Sequence, residues 1–223
     1  ETLPTLSGFE LLYSDFYEAV IEAKPGNVPI PPGDEPYYLL VETMGYHPAT
    51  DRTMFEEFLD GIVQRQLAGE VILAQSAAQR DALWAVRESV DAVVRLLSPM
   101  RTFDISLEVL DIDDYVHGIR KALSRRFKDV RMIVNGHIGD NNIHLGISVG
   151  SETERHARDI DDIVYLPLAQ FHGSMSAEHG IGTTKNDYLP ITRSTEEIHL
   201  MRRIKTAVDP LNLLNPRVIF PNP

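Results

Sequence analysis

Residues 131–149, RMIVNGHIGDNNIHLGISV, hold two runs rich in Ile, Val and Leu on either side of a short polar turn. A connection this short joins antiparallel neighbours, because a parallel pair needs a crossover of a dozen or more residues. Gly139, Asp140, Asn141 and Asn142 are strong turn formers, and Asp and Asn tolerate the positive φ that tight turns demand. The hairpin predicted here commits the chain to an antiparallel sheet.

The rest of the chain supplies elements to place on that sheet. Residues 14–24 read as a short helix. It gives way at 25–36 to PGNVPIPPGDEP, whose five prolines and two glycines exclude helix and strand interior and predict an exposed loop. Residues 37–44 (YYLLVETM) predict a strand. Over 51–67, Met54, Phe55, Phe58, Ile62 and Val63 recur at helical spacing. Residues 70–75 (EVILAQ) read as a second strand. Ser76 is a candidate N-cap, with Gln79 completing a capping-box pattern, for a helix running to about residue 97. Residues 101–109 alternate like a third strand, and Tyr115, Val116, Ile119, Ala122 and Leu123 mark an amphipathic helix over 112–127. Beyond the hairpin, helices are expected over 154–171, where Pro167 bends or ends the element, and over 195–207. Strands that alternate with helices, then two strands in direct succession, predict an α+β fold of ferredoxin-like type. It has one antiparallel sheet with helices on one face, followed by a C-terminal helical segment. Residues 1–223 read as one domain.

Composition narrows the function. A net charge of −12 over 223 residues argues against nucleic acid and against an anionic membrane surface, both of which attract clustered Lys and Arg. With no cysteine, disulfides, thiolate metal sites and thiol nucleophiles are excluded, so any metal must sit on His, Asp or Glu. No apolar run approaches the roughly 20 residues that a transmembrane segment needs. A soluble location is expected, in a cytoplasm or a mitochondrial matrix. The chain opens at Glu1 without an initiator Met, and the expectation is that residues upstream have been removed. It contains neither a glycine-rich dinucleotide fingerprint nor a P-loop.

Chemistry concentrates in two segments. If the hairpin turn is centred between Asp140 and Asn141, His137 lies opposite His144, and cross-strand Cβ atoms about 4.5–5.5 Å apart let two imidazoles share a metal ion. A surface pair or a hydrogen-bonded core pair fits the same spacing. The second segment, SAEHGIGTTK at 176–185, sets Glu178 and His179 among glycines, which are used where backbone must approach something closely. Two His and one Glu with a fourth position open form a familiar catalytic metal set. Adjacent residues cannot easily share one ion, so Glu178 would bind and His179 would serve as a general base.

GHIGDNNIH at 136–144, SAEHGIGTTK at 176–185 and VDPLNLLNPRVIF at 208–220 resemble, in order and spacing, the C-terminal domain of FAD-linked oxidases of the vanillyl-alcohol oxidase superfamily. The chain is most similar there to D-lactate, glycolate and D-2-hydroxyglutarate dehydrogenases. LWAVRES at 83–89 and FDIS at 103–106 resemble two further family segments, so the likeness runs from about residue 83 to 220 and more loosely from Phe9.

The resemblance implies oxidation of a 2-hydroxy acid to a 2-oxo acid, with the α-hydrogen passed to flavin. It implies a divalent metal, commonly zinc, on His137, His144 and Glu178. His179 then takes the hydroxyl proton, and Arg87 clamps the substrate carboxylate, a task suited to a bidentate guanidinium. Read alone, Arg87 beside Glu88 is an ordinary solvated pair. Asn142 and Asn215 fall at motif positions on the cofactor side, and Lys185 matches the motif lysine, although an exposed lysine is its plain reading. The flavin itself would be held mainly by an N-terminal FAD-binding domain absent from this chain. An electron-acceptor protein or quinone would complete the cycle.

The departures from the family pattern are specific. Gly146 stands where hydroxyglutarate-type relatives carry asparagine, and Thr102 where they carry a substrate-binding lysine, with Arg101 adjacent. Asn141 replaces a motif glycine, Glu108 a common proline, and Arg217 the last glycine of the terminal motif. A smaller or different hydroxy acid is therefore expected. His47, His117, His156 and His199 read as surface residues, His172 as a residue near the second segment, and Trp84 as core. Two other functions fit the same residues: a stand-alone metal-dependent hydrolase and a non-catalytic ligand-binding module.

Overall fold

The computed structural model describes residues 3–26 and 28–220; Asn27 in the proline-rich segment lies outside the described residues, as do positions 1, 2 and 221–223. Chain order is β1 (Leu6–Tyr13), α1 (Ser14–Ala23), β2 (Tyr37–Thr43), α2 (Pro48–Gln64), α3 (Ala77–Arg87), α4 (Val90–Leu97), β3 (Arg101–Ser106), α5 (Ile112–Arg126), β4 (Arg131–His137), β5 (Asn142–Ser148), α6 (Ala157–Tyr165), α7 (Leu189–Thr192) and α8 (Thr195–Val208). The α+β class with antiparallel strands is as expected. The described residues divide into two compact units, one ending at Ser98 but including Ile133–Asp140, the other made of Pro99–Met132 and the residues from Asn141 onward.

In the first unit β1 pairs with β2 and β4, both antiparallel. This strand is absent from the sequence reading, because Gly8 and Glu10 interrupt its apolar pattern. Leu11, Leu12 and Tyr13 are buried, and α1 adds Phe16, Tyr17, Ala19 and Val20 to the same core. Helix α4 packs on α1 with Val93 and Leu97. The hydroxyl of Tyr17 donates to the Ile30 carbonyl and accepts the Ile30 N–H, which pins the proline-rich loop.

Three expectations for this unit change. Residues 70–75 form no strand: Val71, Leu73 and Ala74 are half-buried, and no strand pairs with them among the described residues. Four apolar residues between Gly69 and Ser76 suit an extended connection as well as a strand. The helix expected to run to residue 97 is broken at Glu88–Ser89. There the Ser89 hydroxyl donates to the Ala85 carbonyl at 2.6 Å and accepts from Lys24 at 3.1 Å, so a side chain takes over hydrogen bonding at the break. At Ser76 the cap forms, with the Gln79 N–H on the Ser76 hydroxyl at 3.2 Å, but the Gln79 side chain accepts from the Gln75 N–H instead of from the cap residue.

In the second unit β3 and β5 pair antiparallel with Thr102 opposite Gly146, Phe103 opposite Leu145, Asp104 opposite His144 and Ser106 opposite Asn142. Side chains alternate across a strand. Phe103, Ile105, Ile143, Leu145 and Ile147 therefore share one face and are buried. They lie with α5, which buries Tyr115, Val116, Ile119 and Leu123, and with α6, whose Tyr165 meets Phe103 edge-on at 5.3 Å. Thr102, Asp104, His144 and Gly146 fall on the other face. Strand β3 ends at Ser106, three residues earlier than expected, where Ser106 bridges to Ser174. The turn before β5 is also wider than expected: Ile138–Asp140 make a 3-10 turn and Asn141 takes φ 66°. Pro167 ends α6 as expected, opening a 3-10 turn over Leu166–Ala169. Helix α8 starts with a full capping box between Ser194 and Glu197.

Gly173 shows how tightly the return segment is pressed onto β3. A Cβ there would sit 2.9 Å from the Ser106 carbonyl and 2.9 Å from Leu168 Cδ2. Gly173→Ala is expected to lose roughly 1–3 kcal/mol of stability through overpacking against backbone, read as a lower urea midpoint; an unchanged midpoint would refute the close packing.

Candidate functional site

Asp104 organises the second unit's part of the site. Its side chain is 1% exposed on β3, and a buried carboxylate needs donors around it. The bend after Met175 supplies them. The backbone N–H groups of Glu178 and His179 reach Asp104 Oδ2 at 3.0 and 2.9 Å, and the Ser176 hydroxyl donates at 3.2 Å. Lys185 Nζ stands 3.8 Å from the same oxygen and donates to the Ser176 hydroxyl at 3.0 Å. Gly180 and Gly182, with φ 76° and 59°, let the chain turn away again. Burial alone would raise the Asp104 pKa, but the His179 and Glu178 N–H groups, with the charges of His179 and Lys185, outweigh it and hold the carboxyl below its ordinary value. Burial lowers the pKa of Lys185, and Asp104 opposes that shift.

The bend sets Glu178 beside β5, where Glu178 and His144 offer ligand atoms within 4.8 Å of each other. The ring of His179 lies nearly parallel to that of His144, with centroids 6.4 Å apart and planes at 20°, and its side chain is 67% exposed. Lys185 departs from its plain reading as an exposed lysine, since only 12% of its side chain is accessible.

In the first unit, His137 ends β4 directly opposite Glu10 of β1. Glu10 Oε1 is 2.8 Å from His137 Nδ1, and Glu10 Oε2 accepts from Arg87 Nε at 3.2 Å. Arg87 also donates to Glu88 at 3.1 Å, and its side chain is 22% exposed, so it is more than a solvated neighbour pair. Two side chains far apart in sequence, Arg87 and His137, thus meet through one carboxylate.

Other positions are placed as follows. Asn142 opens β5, buried and opposite Ser106, while Asn215 is exposed with φ 48°. Arg101 grips Asp161 with two contacts of 2.7 Å. His172 takes φ 51° just before Gly173. His156 packs on Phe127, and Trp84 is half-buried with its N–H on Glu42 at 3.1 Å. Glu10 and Asp104 were not singled out from the sequence. The available signal was a charged residue inside an otherwise apolar strand, which is costly unless it is partnered.

Asp104→Asn keeps the shape but replaces one acceptor with a donor facing the same N–H groups. The expected loss is roughly 1–3 kcal/mol, with amide exchange at Glu178 and His179 faster by tenfold or more. Unaltered exchange at those two amides would show that Asp104 does not hold the bend.

The fold is shared with 4-ethylphenol oxidase from Gulosibacter chungangensis, solved as an isoeugenol complex, at a TM-score of 0.60 and 14% identity over 96% of this chain and 48% of that one. Residues 4–219 match the family of FAD linked oxidases, C-terminal domain, and the chain belongs to that family. It is similar to the mitochondrial D-2-hydroxyglutarate dehydrogenases of Arabidopsis thaliana (31% identical; 97% of this chain, 38% of the relative) and Danio rerio (34%; 84% and 35%). It is also similar to the D-2-hydroxyglutarate–pyruvate transhydrogenase of Saccharomyces cerevisiae (33%; 95% and 44%). The chain spans less than half the length of these relatives. Among the described residues no helix is long and apolar enough to cross a membrane.

Proposed function

We propose that this chain forms the substrate- and metal-binding part of an FAD-dependent dehydrogenase that oxidises a 2-hydroxy acid to the 2-oxo acid. Family membership and the names of the relatives support the reaction class. The observation that carries the reading is the His144–Glu178 pair, set side by side by the Asp104-bound bend with His179 next to it.

His137, His144 and Glu178 are the proposed ligands of one divalent cation, zinc by the character of the donors. The two donors of the second unit, His144 and Glu178, fit such an ion: their separation within 4.8 Å closes by side-chain rotation to the roughly 3–3.5 Å that ligands about 2 Å from a shared ion require. When bound, the ion supplies Lewis acidity that lowers the pKa of the substrate hydroxyl. His179, largely exposed, takes the hydroxyl proton, and Arg87, held at Nε by Glu10, binds the carboxylate by exchanging its contact with the exposed Glu88. FAD would be held mainly by a separate N-terminal domain, with Asn142 and Asn215 on the cofactor side, and the electrons would leave to an acceptor protein or a quinone. A mitochondrial location would agree with the names of the relatives.

The substrate is expected to be smaller than, or different from, 2-hydroxyglutarate. Thr102 and Gly146, the two departures from the hydroxyglutarate-type pattern, face each other across β3 and β5. The adjacent cation, Arg101, is already committed to Asp161. A second carboxylate at this place would therefore find neither a lysine nor an asparagine.

The metal assignment predicts about one zinc per chain, with affinity reduced at least about 100-fold in His144→Ala and in Glu178→Gln, measured by chelator competition. Unchanged affinity in both variants would sink it. The 223-residue chain alone is expected to show no oxidation of D-lactate with an artificial electron acceptor, because no hydride acceptor is held by it; turnover by the isolated chain would contradict the division of labour.

A further inference from the structure

Glu10 is buried, charged, and touches two residues given roles above, while it would touch neither substrate nor metal itself. We propose that Glu10 is the positioning residue that fixes the tautomer and ring orientation of His137 and couples it to Arg87. The inference rests on the reading of His137 as a metal ligand.

The geometry is local to the first unit. Glu10 and His137 are direct cross-strand partners, so backbone pairing alone brings them to the same place. The contact is between Glu10 Oε1 and His137 Nδ1, at 2.8 Å. A carboxylate only accepts at neutral pH, so this contact requires the proton on Nδ1 and puts the lone pair of the neutral ring on Nε2. An imidazole held in this way is the form a divalent cation takes, and outer-sphere carboxylates of this kind are a general means of orienting metal-binding histidines. Arg87 does not compete for that lone pair. Its Nη2 is 3.3 Å from Nδ1 and 3.1 Å from Nε2, and an atom nearly equidistant from both nitrogens cannot lie on the in-plane axis of either.

The second oxygen of Glu10 holds Arg87 Nε at 3.2 Å. One carboxylate thus divides its two oxygens between the proposed metal ligand and the proposed carboxylate clamp. Its negative charge also offsets the guanidinium that stands beside the ring. Glu10 is 7% exposed, so water is a poor substitute for it.

The test uses the full chain with Glu10→Gln and Glu10→Leu. Gln keeps the shape and one acceptor but not the charge; Leu removes both contacts. Nitrogen-15 shifts of the histidine rings, assigned with His137→Ala, should show the Nδ1–H form of His137 in the parent chain without metal. That form should be kept in Glu10→Gln and lost to a mixture in Glu10→Leu. Zinc affinity should fall about tenfold in Gln and about 100-fold in Leu, with near-ultraviolet circular dichroism confirming that both variants fold. The parent tautomer and parent affinity in a folded Glu10→Leu would overturn the proposal. A parent chain that binds no zinc would sink the ligand reading, whereas the tautomer, measured without metal, still judges Glu10 on its own.

Discussion

A carboxylate inside a protein must be surrounded by donors or it will not stay ionised, and Asp104 shows what that requirement can build. In strand β3 Phe103 and Ile105 lie on one face, and Thr102, Asp104 and Ser106 on the other. Asp104 is nevertheless inaccessible, because the bend at 176–180 folds over it and turns two backbone N–H groups and a hydroxyl inward. Remove that charge and the bend loses the acceptor that draws these groups inward. Its position decides where Glu178 and His179 stand.

The same arrangement recurs in each unit. His144 lies opposite Asp104 in β5, and His137 lies opposite Glu10 in β4. The two carboxylates act differently. Asp104 accepts mainly from backbone N–H groups and so sets the path of the chain, while Glu10 engages side chains and so sets the direction of a ring and a guanidinium. Buried ion pairs add little net stability once desolvation is counted. Their value here lies in geometric definition, which a site for a small acid and a cation requires.

Much of this was legible in the amino-acid order. Strands β2, β4 and β5 and helices α1, α2, α5 and α8 follow from periodicity and turn residues. Strand β1 was not legible, because Glu10 and Gly8 break the apolar alternation that identifies strands; the strand carries its functional residue at the cost of its own signature. EVILAQ failed in the opposite direction, having apolar composition but no partner strand among the described residues. The break at Ser89 depends on Lys24, 65 residues away, which no local window contains. Asp104 and Lys185 read as ordinary strand and surface residues until the bend brings them together.

The alternation along β3 has an evolutionary consequence. With Phe103 and Ile105 packed against the helices, deletion of a single residue upstream in this strand would exchange the two faces. Oily rings would then stand where Asp104 stands, and the acid would be driven into the hydrocarbon interior. Lineages descended from such a chain can therefore retune what fits there by substitution at exposed Thr102, but they are barred from altering the strand's length. Divergence in this region should be written in substitutions, with gaps confined to the connecting loops.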